Sequence, residues 1–130
     1  MHNKKLETFS PIARDHALNP RNLGPLKYFD AHSRVTGPCG DTMEFWLIAR
    51  DKRVEQVTFA TDGCRSSIAC GSIATILAEG KPIEIAAKLQ QKEILDALGG
   101  LPPGFEHCAL LAANTLKNAC EEYLRRQKAP

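Results

Sequence analysis

Three of the five cysteines occupy positions where a thiol can serve as a metal ligand. Cys39 lies in the segment Gly-Pro-Cys-Gly-Asp, and Cys64 follows a glycine just before a predicted helix. Cys108 directly follows His107, near the start of another predicted helix. Glycine lets the backbone bend sharply, and a helix N-terminus or a neighbouring cation stabilises a thiolate. These three cysteines are therefore candidates for one metal site.

The fourth ligand of such a site has two candidates. Asp41 lies two residues after Cys39, and His107 adjoins Cys108. Adjacent residues point about 100° apart on an ideal helix, so His107 and Cys108 can approach one ion only near the helix end. Three thiolates with one carboxylate or imidazole suit zinc or an iron–sulfur cluster. The spacing, which lacks any CxxC pair, selects neither the metal nor the fourth ligand.

A cysteine also serves as a small buried apolar residue. Cys70 and Cys120 lie inside predicted helices, on or beside apolar faces, and we expect them to pack in the core. The other three cysteines sit at the boundaries of elements. Alone, His107 is typical of a surface or cap histidine and Asp41 of a turn cap. Their places beside cysteines favour a ligand role.

The composition is that of a globular protein. Hydrophobic residues make up 43% and charged residues 25% of 130 positions, which fits one domain over 1–130, with about 1–9 expected to be disordered. A net charge of +2 does not indicate the strongly basic character that is typical of nucleic-acid-binding proteins. The apolar runs are too short for a bilayer, and the N-terminus lacks a signal-peptide pattern. We therefore predict a cytoplasmic protein whose five cysteines stay reduced.

The elements predicted from hydrophobic periodicity give an α+β fold. Ser10 and Pro11 begin a helix that must stop before Asn19-Pro20. A three-stranded antiparallel sheet is predicted next, covered by helices on one face, the last of them long. The predicted strands are 30–36, 43–50 and 54–60, with 51–53 as a hairpin connection, and the later helices are 66–79, 82–89, 91–98 and 105–126.

Several short motifs occur in a specific order along the chain. They are His-Ala-Leu-Asn-Pro-Arg-Asn-Leu-Gly at 16–24, Cys-Gly-Asp at 39–41, Gly-Cys-Arg-Ser-Ser-Ile-Ala at 63–69, Gly-Lys at 80–81, and Leu-Pro-Pro at 101–103 followed by His-Cys at 107–108. Each motif alone is weak, but together they are highly specific. From about residue 9 to 126 the chain resembles the U-type iron–sulfur cluster scaffold proteins, the IscU and NifU N-terminal domain family.

The resemblance implies a scaffold function. In this family a cysteine desulfurase delivers sulfur as a persulfide and iron arrives separately. A [2Fe–2S] cluster is built and then passed to acceptor apo-proteins. Cys39, Cys64 and Cys108 match the cluster cysteines, and Cys108 also matches the position thought to receive the persulfide. Asp41 matches the aspartate associated with cluster lability and His107 the family histidine, and zinc is expected in the same site.

The chain also departs from the family pattern. The chaperone motif Leu-Pro-Pro-Val-Lys reads Leu-Pro-Pro-Gly-Phe at 101–105, which weakens the expectation that a DnaK-type chaperone binds it. Pro38 directly precedes Cys39, and Arg65 stands where glycine is common. The sequence leaves a homodimer open.

We interpret the chain as a scaffold rather than an enzyme, and two alternatives remain at this point. One is a structural zinc protein that recruits partners. The other is a sulfurtransferase in which Cys108 carries a persulfide and His107 moves protons.

Overall fold

The computed structural model describes residues 6–128. In it, three consecutive strands form an antiparallel sheet in which their order is the same as in the chain. The helices that cover the sheet precede and follow it in the chain. The bounds are α1 Pro11–Leu18, β1 Ala31–Thr36, β2 Thr42–Arg50, β3 Arg53–Thr61, α2 Arg65–Ala78, α3 Ile83–Ala86, α4 Gln91–Leu98 and α5 His107–Lys128.

The turn between β2 and β3 is tighter than predicted. Arg50 pairs with Arg53, so Arg53 belongs to β3 and only two residues form the connection. Asp51 and Lys52 both have positive φ, at 54° and 64°. Two successive residues in that region match the right-handed twist of the flanking strands.

One face of the sheet carries the core. Phe45, Leu47, Val57 and Phe59 are fully buried there, beneath α2 and α5. The α2 helix lies very close to β3, since a Cβ atom built on Gly71 would come within 2.2 Å of the Phe59 ring. Such close packing admits only a glycine at this crossing.

The close approach also decides which face of α2 is buried. Ile76 is apolar, yet its side chain is 42% exposed, and small residues such as Ala69 and Cys70 face the core instead. Cys70 and Cys120 are free and fully buried, as predicted. Burial raises the pKa of the Cys70 thiol well above its usual value and that of Cys120 to about 12.

The shorter helices differ in how well the sequence predicted them. The predicted helix over 82–89 is wrong in length, because α3 covers only Ile83–Ala86. In contrast, α1 begins at Ser10, whose hydroxyl accepts a hydrogen bond from the Ala13 amide at 3.0 Å.

The N-terminal segment was expected to be disordered over about 1–9. Leu6 and Phe9 instead belong to the core, where they are 7% and 5% exposed. The part of that expectation concerning residues 1–5 lies outside the described residues. Between residues 6 and 128, no helix is both long and apolar enough to cross a membrane.

Candidate metal centre

The turn between β1 and β2 presents the first two candidate ligands. The Gly37 amide donates to the Asp41 carbonyl at 2.8 Å, and the Gly40 amide donates to the Gly37 carbonyl at 3.0 Å. Gly40 has a φ of +91°, which favours glycine. This closed turn exposes Cys39 and leaves Asp41 half-buried beside the first residue of β2.

The start of α2 supplies the third candidate. Cys64 is the N-cap residue, so the predicted start of the helix at Ser66 lies one residue late. The Asp41 carboxylate reaches this segment, because a Cβ atom built on Gly63 would lie 2.9 Å from Asp41 Oδ2 and 2.8 Å from Ser67 Cβ. Only a glycine therefore lets the carboxylate, the turn and the helix meet.

The start of α5 supplies the last two candidates. His107 is exposed, whereas the side chain of Cys108 is buried, with 1% of its surface exposed. The Cys108 sulfur lies 3.7 Å from His107 Nε2. The two neighbours approach each other at the helix end, which is where the helical geometry permits it.

Ligand atoms of Asp41, His107 and Cys108 all lie within 4.8 Å of one another. Among residues 6–128, it is the only group of three or more His, Cys, Asp or Glu side chains close enough to hold one metal ion. Cys39 and Cys64 are not members of the group, and both are exposed. The structure thus brings three of the five predicted ligands together from two segments far apart in the chain, with Asp41 in the turn before β2 and His107 and Cys108 at the start of α5.

Cys64 connects to this group through a serine hydroxyl that the sequence analysis did not identify. Ser66 Oγ lies 2.9 Å from the Cys64 sulfur and 3.1 Å from the Cys108 sulfur. Ser67 Oγ donates to Asp41 Oδ2 at 3.3 Å and to the Cys108 sulfur at 3.4 Å. The only sequence feature that could have indicated Ser66 and Ser67 as site residues is their position directly after Cys64, in the first turn of a predicted helix.

The pKa values of the two thiols that contact Ser66 are shifted in opposite directions. Burial acts to raise the pKa of the Cys64 thiol, but the Ser66 hydroxyl and the amides of Ser66 and Ser67 outweigh it, so the pKa is lowered. No capping hydrogen bond of ordinary geometry reaches this sulfur, so the amides act as oriented dipoles. Burial raises the pKa of the Cys108 thiol despite both serine hydroxyls.

Two other histidines make contacts away from this group. His32 pairs with Glu44 at 2.8 Å on the outer face of the sheet. His16, in the last turn of α1, is buried, and its Nδ1 lies 2.7 Å from Ser72 Oγ on α2. Neither histidine belongs to the group formed by Asp41, His107 and Cys108.

The donor set fits a soft or borderline metal. A thiolate and an imidazole are preferred by zinc and iron, and a carboxylate is a harder donor that both accept. Cys64 can supply a second thiolate, since the Ser66 hydroxyl contacts both its sulfur and that of Cys108.

Comparison with known proteins assigns the chain to a family. The sequence model described as NifU-like N terminal domain matches residues 9–130. The chain belongs to that family. The matched range contains all five candidate ligands and both site serines.

Curated relatives match most of this chain and about three quarters of their own length. The iron–sulfur cluster assembly scaffold protein IscU 1 of Archaeoglobus fulgidus is 42% identical over 119 residues, covering 91% of this chain and 78% of that protein. The protein named IscU in Aquifex aeolicus is 42% identical over 116 residues, covering 87% and 74%.

A solved structure confirms the predicted α+β fold with its long last helix. The NifU-like protein (N-terminal) from Brucella abortus superposes with a TM-score of 0.71 over 99% of this chain and 100% of that one. Because the sequence identity is only 19%, this similarity supports the fold and carries no conclusion about function.

Proposed function

We propose that this chain is a scaffold on which an iron–sulfur cluster is assembled and from which it is handed to acceptor apo-proteins. The observation that carries the proposal is the meeting of Asp41, His107 and Cys108 within 4.8 Å. It occurs in a chain that is 42% identical to proteins named iron–sulfur cluster assembly scaffolds. The cluster is the cargo of this protein and not a resident cofactor.

In this proposal the cargo is held by mixed ligands. Cys39, Cys64 and Cys108 supply thiolates, and Asp41 or His107 supplies the fourth donor. Permanent clusters are usually held by four thiolates. An oxygen or nitrogen donor in one position binds the softer iron–sulfide core less tightly. Zinc suits the same donors and is expected to compete for them.

The exposure of the ligands supports transfer. Cys39 and Cys64 are exposed, so thiols of an acceptor can reach the metals that these residues hold. A closed structural site would bury its ligands, so this exposure argues against the alternative of a permanent structural zinc.

Sulfur enters, in this proposal, through a cysteine desulfurase. The Cys108 thiolate attacks the outer sulfur of the desulfurase persulfide and forms a new S–S bond. The donor S–S bond breaks, and the desulfurase cysteine leaves as a thiolate. Because Cys108 is buried beneath the two serine hydroxyls, its sulfur must be uncovered before this attack. Each [2Fe–2S] cluster takes up two sulfur atoms in this way, and both become part of the cargo, so in this proposal the chain acts as a scaffold and not as an enzyme.

Anaerobic reconstitution tests the proposal. The metal-free protein is incubated with ferrous iron, cysteine, a cysteine desulfurase and a thiol reductant that converts persulfide sulfur to sulfide, and visible absorbance and circular dichroism follow cluster formation. A cluster band that grows and then moves to apo-ferredoxin is expected. Failure of the band to grow, or of the cluster to transfer, would contradict the scaffold function.

Two variants make this test specific to the site. Cys64→Ser removes a proposed ligand and is expected to abolish a stable cluster. Cys120→Ala removes a thiol of similar size from the core, away from the site, and is expected to keep assembly and transfer. Equal loss in both variants would assign the effect to folding.

A further inference from the structure

The hydroxyl of Ser66 joins two sulfur atoms that come from different helices. Cys64 caps α2 and Cys108 lies in the first turn of α5, 44 positions later in the chain. The Ser66 oxygen lies 2.9 Å from the first sulfur and 3.1 Å from the second. The two sulfurs can therefore be no further apart than these two contacts laid end to end.

Water cannot take over this role. Ser66 has 1% of its surface exposed, and Cys108 has the same fraction. If the Ser66 hydroxyl were removed, no solvent molecule would restore its contact with the buried Cys108 sulfur. The side chain of Ser66 is thus the fixed element between an exposed sulfur and a buried one.

Hydrogen bonds to metal-bound sulfur orient the ligand and tune the metal. Groups that touch ligands without touching the metal typically change metal affinity about 10–100-fold when removed. They also alter the electronic energies of sulfur ligands, as the reduction potentials of iron–sulfur clusters show. Ser66 has the geometry for both effects, since a single hydroxyl contacts two proposed ligands.

We propose that Ser66 is a positioning residue that sets the separation of the Cys64 and Cys108 sulfurs and so allows both to bind one metal centre. This inference rests on the proposed function, because it takes both cysteines as ligands. Ser66 touches the ligands and not the metal. Its hydroxyl donates to one sulfur at a time. When it donates to Cys64, the Ser67 hydroxyl, which lies 3.4 Å from the Cys108 sulfur, can donate to Cys108.

Cobalt binding tests the inference without cluster assembly. Metal-free full-length protein is titrated with Co²⁺ under anaerobic conditions, and the sulfur-to-cobalt charge-transfer band is recorded. Ser66→Ala is expected to weaken Co²⁺ binding about tenfold. The band is expected to move to lower energy, because a sulfur that loses a hydrogen bond holds its electrons less tightly. A structural role alone would not move the band.

The matched control is Ser33→Ala. Ser33 is a buried serine outside the site, and its hydroxyl donates to the Thr115 carbonyl at 2.6 Å. Its substitution is expected to leave the Co²⁺ affinity and the band unchanged. An affinity of Ser66→Ala within about twofold of the unmodified protein, with an unmoved band, overturns the inference. An equal loss in Ser33→Ala overturns it as well.

A second pair of variants covers the case in which Ser66→Ala does not fold. Ser66→Thr and Ser66→Val have nearly the same shape, and only the first keeps a hydroxyl. Tighter Co²⁺ binding by Ser66→Thr than by Ser66→Val supports the inference, and equal binding by the two variants overturns it. A protein that binds Co²⁺ normally but never assembles a cluster would contradict the proposed function alone, so the two failures are distinguishable.

Discussion

Replacing Gly63 by alanine should damage both the fold and the metal site. The added Cβ atom would lie 2.5 Å from the Ser67 hydroxyl, 2.8 Å from Ser67 Cβ and 2.9 Å from Asp41 Oδ2. The hydroxyl can rotate away, but Ser67 Cβ is fixed to the backbone of α2. The helix start and the Asp41 carboxylate must therefore separate from the turn that carries Gly63.

The expected cost follows from the size of this overlap. Forcing one extra carbon into a packed interior costs about 1–3 kcal/mol. Such a loss lowers the ratio of folded to unfolded protein by roughly 5-fold to 150-fold. Because Asp41 is displaced, the affinity for Co²⁺ should fall as well.

Gly37→Ala is the matched control. Gly37 lies in the turn that presents Cys39, and a Cβ atom built there would lie 3.6 Å from the methyl groups of Leu111, an ordinary contact. Its free energy of unfolding should change by no more than about 0.5 kcal/mol.

Urea unfolding, followed by the fluorescence of the single tryptophan, Trp46, measures both variants. Trp46 is 8% exposed on the sheet, so its emission should change on unfolding. A Gly63→Ala protein as stable as the unmodified chain, with unchanged Co²⁺ binding, would refute the close approach of the three segments. Equal destabilisation in Gly37→Ala would also refute it.

Three further predictions follow from the same geometry. Asp41→Ala should lengthen the lifetime of an assembled cluster, measured as the decay of visible absorbance, because it removes the proposed labile oxygen donor; a shorter lifetime would contradict that role. Gly71→Ala should lower the free energy of unfolding by about 3 kcal/mol, since its Cβ atom would overlap the Phe59 ring, and a neutral effect in urea unfolding would contradict the close packing. Iodoacetamide should label Cys64 at lower pH than Cys108, because the pKa of the first thiol is lowered and that of the second is raised by burial; mass spectrometry of the labelled peptides would expose the reverse order.

Local patterns predicted much of this fold. The serine and proline at 10–11 predicted the start of α1, and the glycine at 99 predicted the end of α4, where φ is +78°. These features depend on residues adjacent in the chain, so the sequence contains the whole signal. The three cysteines at element boundaries were found in the same way.

What the sequence did not reveal depends on contacts between distant segments. Ser66 touches Cys108, and His16 touches Ser72 on another helix. Nothing near Ser66 in the chain indicates which buried thiol it will meet. The burial of small residues on α2 has the same origin, since the approach of Phe59 at Gly71 leaves room only for small residues against the sheet.

The burial of Cys108 behind exposed neighbours gives the metal centre a front and a back. His107, Cys39 and Cys64 face solvent, whereas Cys108 is held from behind by two hydroxyls. In the proposed function, an incoming protein can compete for the exposed ligands while the Cys108 sulfur still holds the cargo. Handover would then have a direction, with the bond to Cys108 the last to break, so the cargo would not be free in solution between donor and acceptor.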